Sequence, residues 1–168
     1  LPTSPVYQAL PGLRPATWVP KRRRVFLSYV REYLPLARAL AEGLAPTLDV
    51  DWDMKLEAGE VWQTRLDAML DGADAVIALA GRQMRDRPFP IAEMRRAIER
   101  GKRLIPVFVD AFEAPGELSG RMCANVDPDG RILYLGELEG EALQHAIALT
   151  ARNIVAALDA PVEAPAPQ

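Results

Sequence analysis

Apolar runs and amphipathic runs take turns along the middle of this chain. Val25 to Tyr29 is a short apolar run that breaks abruptly into polar residues, Ser28-Tyr29-Val30-Arg31-Glu32. Its β-branched and aromatic residues predict a strand buried on both faces. Glu32 to Ala45 repeats Leu and Ala at helical spacing (Leu34, Ala37, Leu40, Ala41, Leu44) and predicts a helix, with Pro35 tolerable only in its first turn. Leu48 to Trp52 alternates and predicts a second strand. Glu60 to Asp71 places Trp62, Leu66, Met69 and Leu70 on one helical face, and Ala73 to Ala80 is almost wholly apolar, as a central parallel strand should be. Pro90 to Arg100 predicts a helix with Pro90 at its first position and Gly101 past its end. Arg103 to Val109 predicts a strand despite Pro106, and Ile132 to Leu135 a last short one. Glu141 to Leu158 closes the chain as a long helix with Leu143, Ile147, Ile154 and Leu158 inward. The stretch from Asp110 to Arg131 has no clear period.

Strand and helix alternate throughout, so the expected fold is α/β and flavodoxin-like. It is a five-stranded parallel sheet in the order 2-1-3-4-5, with helices on both faces. Residues 23–159 form the expected domain. Residues 1–22 carry five prolines (Pro2, Pro5, Pro11, Pro15, Pro20) and read as a linker or tail, and residues 160–168, rich in Pro and Ala, as a second tail. The basic run Lys21 to Arg24 beside the linker reads as solubilising.

In such a sheet, ligands sit beyond the carboxyl ends of the strands where the strand order reverses. Two loops should meet there: Ser28 to Glu32, and Gly81 to Phe89 with Arg82, Arg85 and Arg87. The second leads into the helix that carries Glu93.

Composition narrows the chemistry. A net charge of −3 over 168 residues gives no reason to expect direct nucleic-acid binding. The single cysteine, Cys123, excludes an internal disulfide and fits a reducing compartment. No apolar run approaches the roughly 20 residues that cross a bilayer, and the opening residues lack the apolar core of a signal peptide. A cytoplasmic location is expected, as a piece or processed form of a longer protein. No glycine-rich phosphate loop follows the first strand, and no acidic cluster of a phosphoacceptor ends it. With only His145 and Cys123 available, neither a metal cluster nor a Ser-His-Asp set is expected.

Three motifs, in this order and spacing, resemble those of the TIR (Toll/interleukin-1 receptor) domain family. The first is Val25-Phe26-Leu27-Ser28-Tyr29. The second is Asp51-Trp52-Asp53-Met54-Lys55-Leu56-Glu57-Ala58-Gly59-Glu60-Val61-Trp62, similar to the second box and the loop called BB. The third is Ala75-Val76-Ile77-Ala78-Leu79 with Glu93 to Lys102 and Ile105-Pro106-Val107. The resemblance covers roughly residues 24–158.

It implies an NAD+ hydrolase that cleaves the nicotinamide–ribose bond, of the bacterial type, with NAD+ as substrate and no further cofactor. Its catalytic residue would be Glu93. Ser28, Tyr29 and Arg31 of the first loop, with Lys55 and Trp62 of the BB region, would contact substrate. It also implies self-association through TIR–TIR contacts, a sensor or oligomerising partner module, and a defence or toxin role. The alternative is a non-catalytic TIR–TIR interaction module. The chain departs from the family in two places. Phe89-Pro90-Ile91-Ala92 stands where a Trp-Cys pair often precedes the glutamate, and Gly81 replaces a common serine.

The residues read alone leave structural roles open. Glu93 falls in the first turn of its expected helix, facing away from Ile91, Met94 and Ile98 and within ion-pair reach of Arg96, as a solvated glutamate would. Ser28 and Tyr29 could simply cap a strand, Arg31 could be solvated, Lys55 is undecided, and Trp62 could start an apolar stripe.

Overall fold

The computed structural model describes residues 22–52 and 58–159. Lys55 and the two Pro-rich ends lie outside the described residues. Four strands are present: β1 (Arg24–Ser28), β2 (Asp49–Asp51), β3 (Ala75–Ala80) and β4 (Arg103–Phe108). They form one sheet in the order β2-β1-β3-β4, and every pairing is parallel, with Phe26 opposite Val76 and Ile77 opposite Ile105. All of β3 is buried, so the sheet is covered on both faces.

The helices are α1 (Leu34–Leu44), α2 (Trp62–Gly72), α3 (Pro88–Glu99) and α4 (Gly140–Asp159). They go in pairs. α1 packs on α4, where the Cβ of any residue replacing Gly43 would lie 3.4 Å from Ile147. α2 is joined to α3 by Arg96–Asp67 at 2.7 Å and by Arg100 with Asp67 and Asp71, each at 2.9 Å. Leu40 and Leu44 of α1, Leu66 and Leu70 of α2, Met94 of α3 and Ile154 of α4 fill the space against Leu27, Ile77 and Leu79 of the sheet.

Two expected elements change. Glu32 to Ala45 is not one helix: a 3-10 turn at Arg31–Tyr33 precedes α1. Pro35 has no N–H to give and its ring is tolerated only in a helix's first turn, so α1 starts at Leu34. Tyr33 is then left to enter the core.

The fifth strand expected at Ile132 to Leu135 is absent from the described residues. Val126 and Ile132 form a single antiparallel bridge, and Leu135–Glu137 is a 3-10 turn. The outer edge of β4 is satisfied by another route. Ala124 N–H donates to Pro106 O at 2.9 Å, Phe108 N–H donates to Asn125 Oδ1 at 2.9 Å, and Asn125 Nδ2 donates to Phe108 O at 2.7 Å. Asn125 thus imitates one residue of a strand. The same geometry explains Pro106: its carbonyl, and so its missing N–H, faces this outer edge and not β3.

Asn125 is fully buried and also donates to Leu133 O at 2.9 Å. Its replacement by Ala strips partners from three part-buried backbone groups. Asn125→Ala is expected to lose about 2–4 kcal/mol of stability in urea unfolding, with an unchanged denaturant slope. A loss below about 1 kcal/mol would mean that water replaces the side chain at this edge.

The basic run is structural where it is described. Arg22 donates to Leu48 O at 2.9 Å, Arg23 pairs with Asp159 at 2.7 Å, and Arg24 lies 3.9 Å from Asp51. These arginines tie the chain's entry to β2 and to the end of α4, which a reading as solubilising charges does not anticipate.

Candidate active site

The carboxyl ends of β1 and β2 open onto a crevice of about 380 Å³, lined by Phe26, Leu27, Tyr29, Arg31, Leu34, Trp52 and Glu93. Its position at the carboxyl ends of strands is the expected one, because there the chain leaves the hydrogen-bonded ladder and can face a ligand, but the residue that meets the β1 loop is Trp52 after β2 and not the Gly81–Phe89 loop. β1 ends at Ser28, and the turn after it presents Tyr29 and Arg31. β2 ends at Asp51 and presents Trp52 beside them.

Glu93 comes from the opposite side. It lies in the second turn of α3, which begins at Pro88, two residues earlier than expected. Pro88 and Pro90 both fit the first turn, where a helix leaves its N–H groups unbonded. The buried face of α3 is Pro90, Glu93, Met94 and Ala97, the i, i+3, i+4, i+7 stripe of a helix on a sheet. Glu93 is therefore inside, only 8% exposed, while Ile98 is 38% exposed. This corrects the solvent-facing placement. Arg96, its expected ion-pair partner, is bound to Asp67.

Burial pushes the Glu93 carboxyl up from 4.5 to about 7, because removing a carboxylate from water disfavours the charged form. A hydrogen bond from Ser28, itself buried, pulls weakly the other way. So Ser28 does not line the crevice; it holds the carboxyl that does.

The structure brings Glu93, Ser28, Tyr29 and Arg31 together. It does not place Trp62 with them. Trp62 starts α2 and meets Phe89 edge-on, with ring centroids 5.1 Å apart and planes at 64°. Phe89 is 60% exposed. The loop from Gly81 to Phe89 also stands back from the crevice and contributes no lining residue. It supports the facing loop instead: Gln83 N–H donates to the Tyr33 hydroxyl at 2.9 Å, and Arg87 pairs with Glu32. Arg82 Nε donates to Ala111 O at 3.2 Å.

Trp52 and Leu34 line the crevice without having been singled out. Trp52 had a signal: it is the last residue of the second predicted strand, at the carboxyl end where ligands sit. Leu34 had none, since it read as one more apolar position in a helix.

The described residues contain no group of three or more His, Cys, Asp or Glu side chains able to hold a metal, and no helix long and apolar enough to cross a membrane.

Fold and crevice together define a flavodoxin-like α/β domain with a buried carboxyl facing a ligand-sized opening at the strand ends. Residues 25–132 match the TIR domain family, and the chain belongs to it. Among solved structures it is similar to the TIR domains in the "Structure of the activated Roq1 resistosome directly recognizing the pathogen effector XopQ". That likeness has a TM-score of 0.42 and 14% identity, and covers 77% of this chain and 84% of that one. No curated protein matches.

Proposed function

We propose that this TIR domain hydrolyses NAD+ at the nicotinamide–ribose bond, with Glu93 as the catalytic residue. The observation that carries the reading is a nearly buried carboxyl, 8% exposed, directed into the crevice with its burial uncompensated by any described cation. A group so placed costs stability, and such costs concentrate at reactive sites.

Nicotinamide leaves as a neutral base and takes the electrons of the C–N bond, so no strong general acid is needed. Positive charge develops on the ribose. The Glu93 carboxylate stabilises it and orients the water that adds to the anomeric carbon and releases a proton. Ser28 fixes the carboxyl, Trp52 and Tyr29 offer flat walls to a ring, and Arg31 at the rim meets the pyrophosphate. Lys55 stays a substrate contact that the family resemblance alone implies, whereas Trp62 packs on Phe89 outside the crevice.

The crevice is at the small end of ligand sites, which span about 300–1,000 Å³. It suits the nicotinamide-ribose half, with the remaining half outside. A second copy would complete the site. Phe89 and Val61, 60% and 63% exposed, form an apolar edge around Trp62 that such a copy would cover. A partner module that clusters the domain then acts as the switch, as in a cytoplasmic defence or toxin effector.

The test is nicotinamide release from NAD+, with and without forced clustering, for the wild type and Glu93→Ala. The variant is expected to lose about a hundredfold or more. Wild-type kcat/KM is expected to rise with pH through about 7, as Glu93 ionises. Equal release from both proteins removes Glu93 from the chemistry. A rate that falls through the same range makes it an acid. No release from clustered wild type leaves a TIR–TIR interaction module.

A further inference from the structure

A second large cavity has no part in that chemistry. It is a groove of about 930 Å³ between α1 and α4, and it shares no residue with the crevice. Its floor is apolar, formed by Leu143, Ile147, Ala151 and Val155, and its rim carries Glu42 and Asp159 against the single cation Arg152. It runs along α4 from Gly140 to Asp159, about 28 Å at the rise of an α-helix.

The chain enters the fold at one end of this groove. Arg22 is bonded to Ala45 O and Leu48 O, either side of the groove residue Thr47, and Arg23 is paired with the groove residue Asp159. Twenty-one residues precede Arg22. They include Val6, Leu10, Leu13, Trp18 and Val19, and their only charges are Arg14 and Lys21, opposite in sign to the groove's excess. Trp18 is four residues from Arg22, within about 14 Å of the entry for an extended chain. Prolines at positions 2, 5, 11, 15 and 20 reduce the entropy lost on ordering such a segment.

We propose that the chain's own N-terminal segment, residues 1–21, docks in the α1/α4 groove, with Trp18 and Val19 as its anchor over Ala151 and Val155. The segment runs toward Gly140. Ten residues at a polyproline rise cover about 31 Å, so Gly12 reaches the far end. The docking stands independently of what the crevice does.

A spin label at Gly12→Cys, in the full chain with Cys123→Ala, tests this by paramagnetic broadening of backbone amides. Leu143 and Gln144, at the far end of the groove, are expected to relax severalfold faster than Asp74 and Gly101. Those two border a separate depression that also includes Arg23. Trp18→Ala with Val19→Ala, which changes nothing in the folded body, should remove the difference. So should Ala148→Glu, at an exposed position of the groove. Equal broadening on both sides of the entry would overturn the proposal, as would groove broadening that survives these substitutions. Broadening that also appears when spin-labelled chains are mixed with unlabelled, isotope-enriched ones would overturn it too, and would assign the groove to a second copy.

Discussion

Glu93→Gln is expected to unfold at higher urea than the wild type at pH 8, by about 2–3 kcal/mol, and to match it near pH 4.5. The sign follows from the raised carboxyl. Below about pH 4.5 the group is neutral in both folded and unfolded chains. Between 4.5 and about 7 the unfolded chain ionises while the folded one holds its proton, so wild-type stability falls as pH rises. Above about 7 the folded protein carries a charge that its surroundings do not solvate, and the loss is complete. A shift of this size corresponds to about 3 kcal/mol, less what the amide forgoes in hydrogen bonding. Gln keeps the shape and can still bond Ser28. It removes the charge, and with it the pH dependence. Urea unfolding of both proteins across pH 4.5 to 8 measures this directly, and parallel curves would show that Glu93 is solvated in the native state. A variant that gains stability while nicotinamide release collapses would carry the mark of a group retained for chemistry at the expense of the fold.

Gly81→Ala is the second large effect. Gly81 follows β3 with an extended backbone, so the residue is not required by its dihedral angles. What it lacks is room. An added Cβ would fall on the Tyr33 hydroxyl, 2.9 Å from the ring Cζ and 3.2 Å from Asp110 Oδ2. Both neighbours are committed: Tyr33 accepts from Gln83 N–H, and Asp110 accepts from Arg82 N–H at 2.9 Å. Overpacking against fixed partners is expected to cost about 3 kcal/mol. Tyr33→Phe alone leaves Gln83 N–H without its acceptor, at about 1–2 kcal/mol. The two together should be less damaging than their sum by about 1–2 kcal/mol, because the hydroxyl that clashes is gone. Strict additivity in a double-mutant cycle would sink the steric account. A serine side chain at this position would likewise compete for the space that the Tyr33 hydroxyl occupies.

Most of the fold was legible in the sequence because hydrophobic period and strand burial are the same fact. Ala75 to Ala80 is apolar because helices cover both its faces, and the alternation of such runs with helical ones leaves few topologies. The order β2-β1-β3-β4 follows from that. The expected fifth strand does not, because an edge can be closed by a side chain as well as by a strand. Nothing in the pattern around Asn125 says that its amide reaches Phe108 across 17 residues.

The site divides along the same line. The sequence by itself placed a crevice at the carboxyl end of the first strand, because a parallel sheet leaves its strand ends there, and left Tyr29 and Arg31 open between ligand contact and capping or solvation. It also determined, through the motifs, that Glu93 was the carboxylate to examine. Only the tertiary structure decided that Glu93 lies inside. On a helical wheel a carboxylate that faces away from Ile91, Met94 and Ile98 belongs in water, since charged groups are rarely buried without partners. The packing of α3 on the sheet chose Pro90, Glu93, Met94 and Ala97 instead, and left Ile98 outside. Local pattern follows the average cost of burying each residue type. A reactive group is held where that cost is borne, so the pattern fails at the residue on which the proposed chemistry depends.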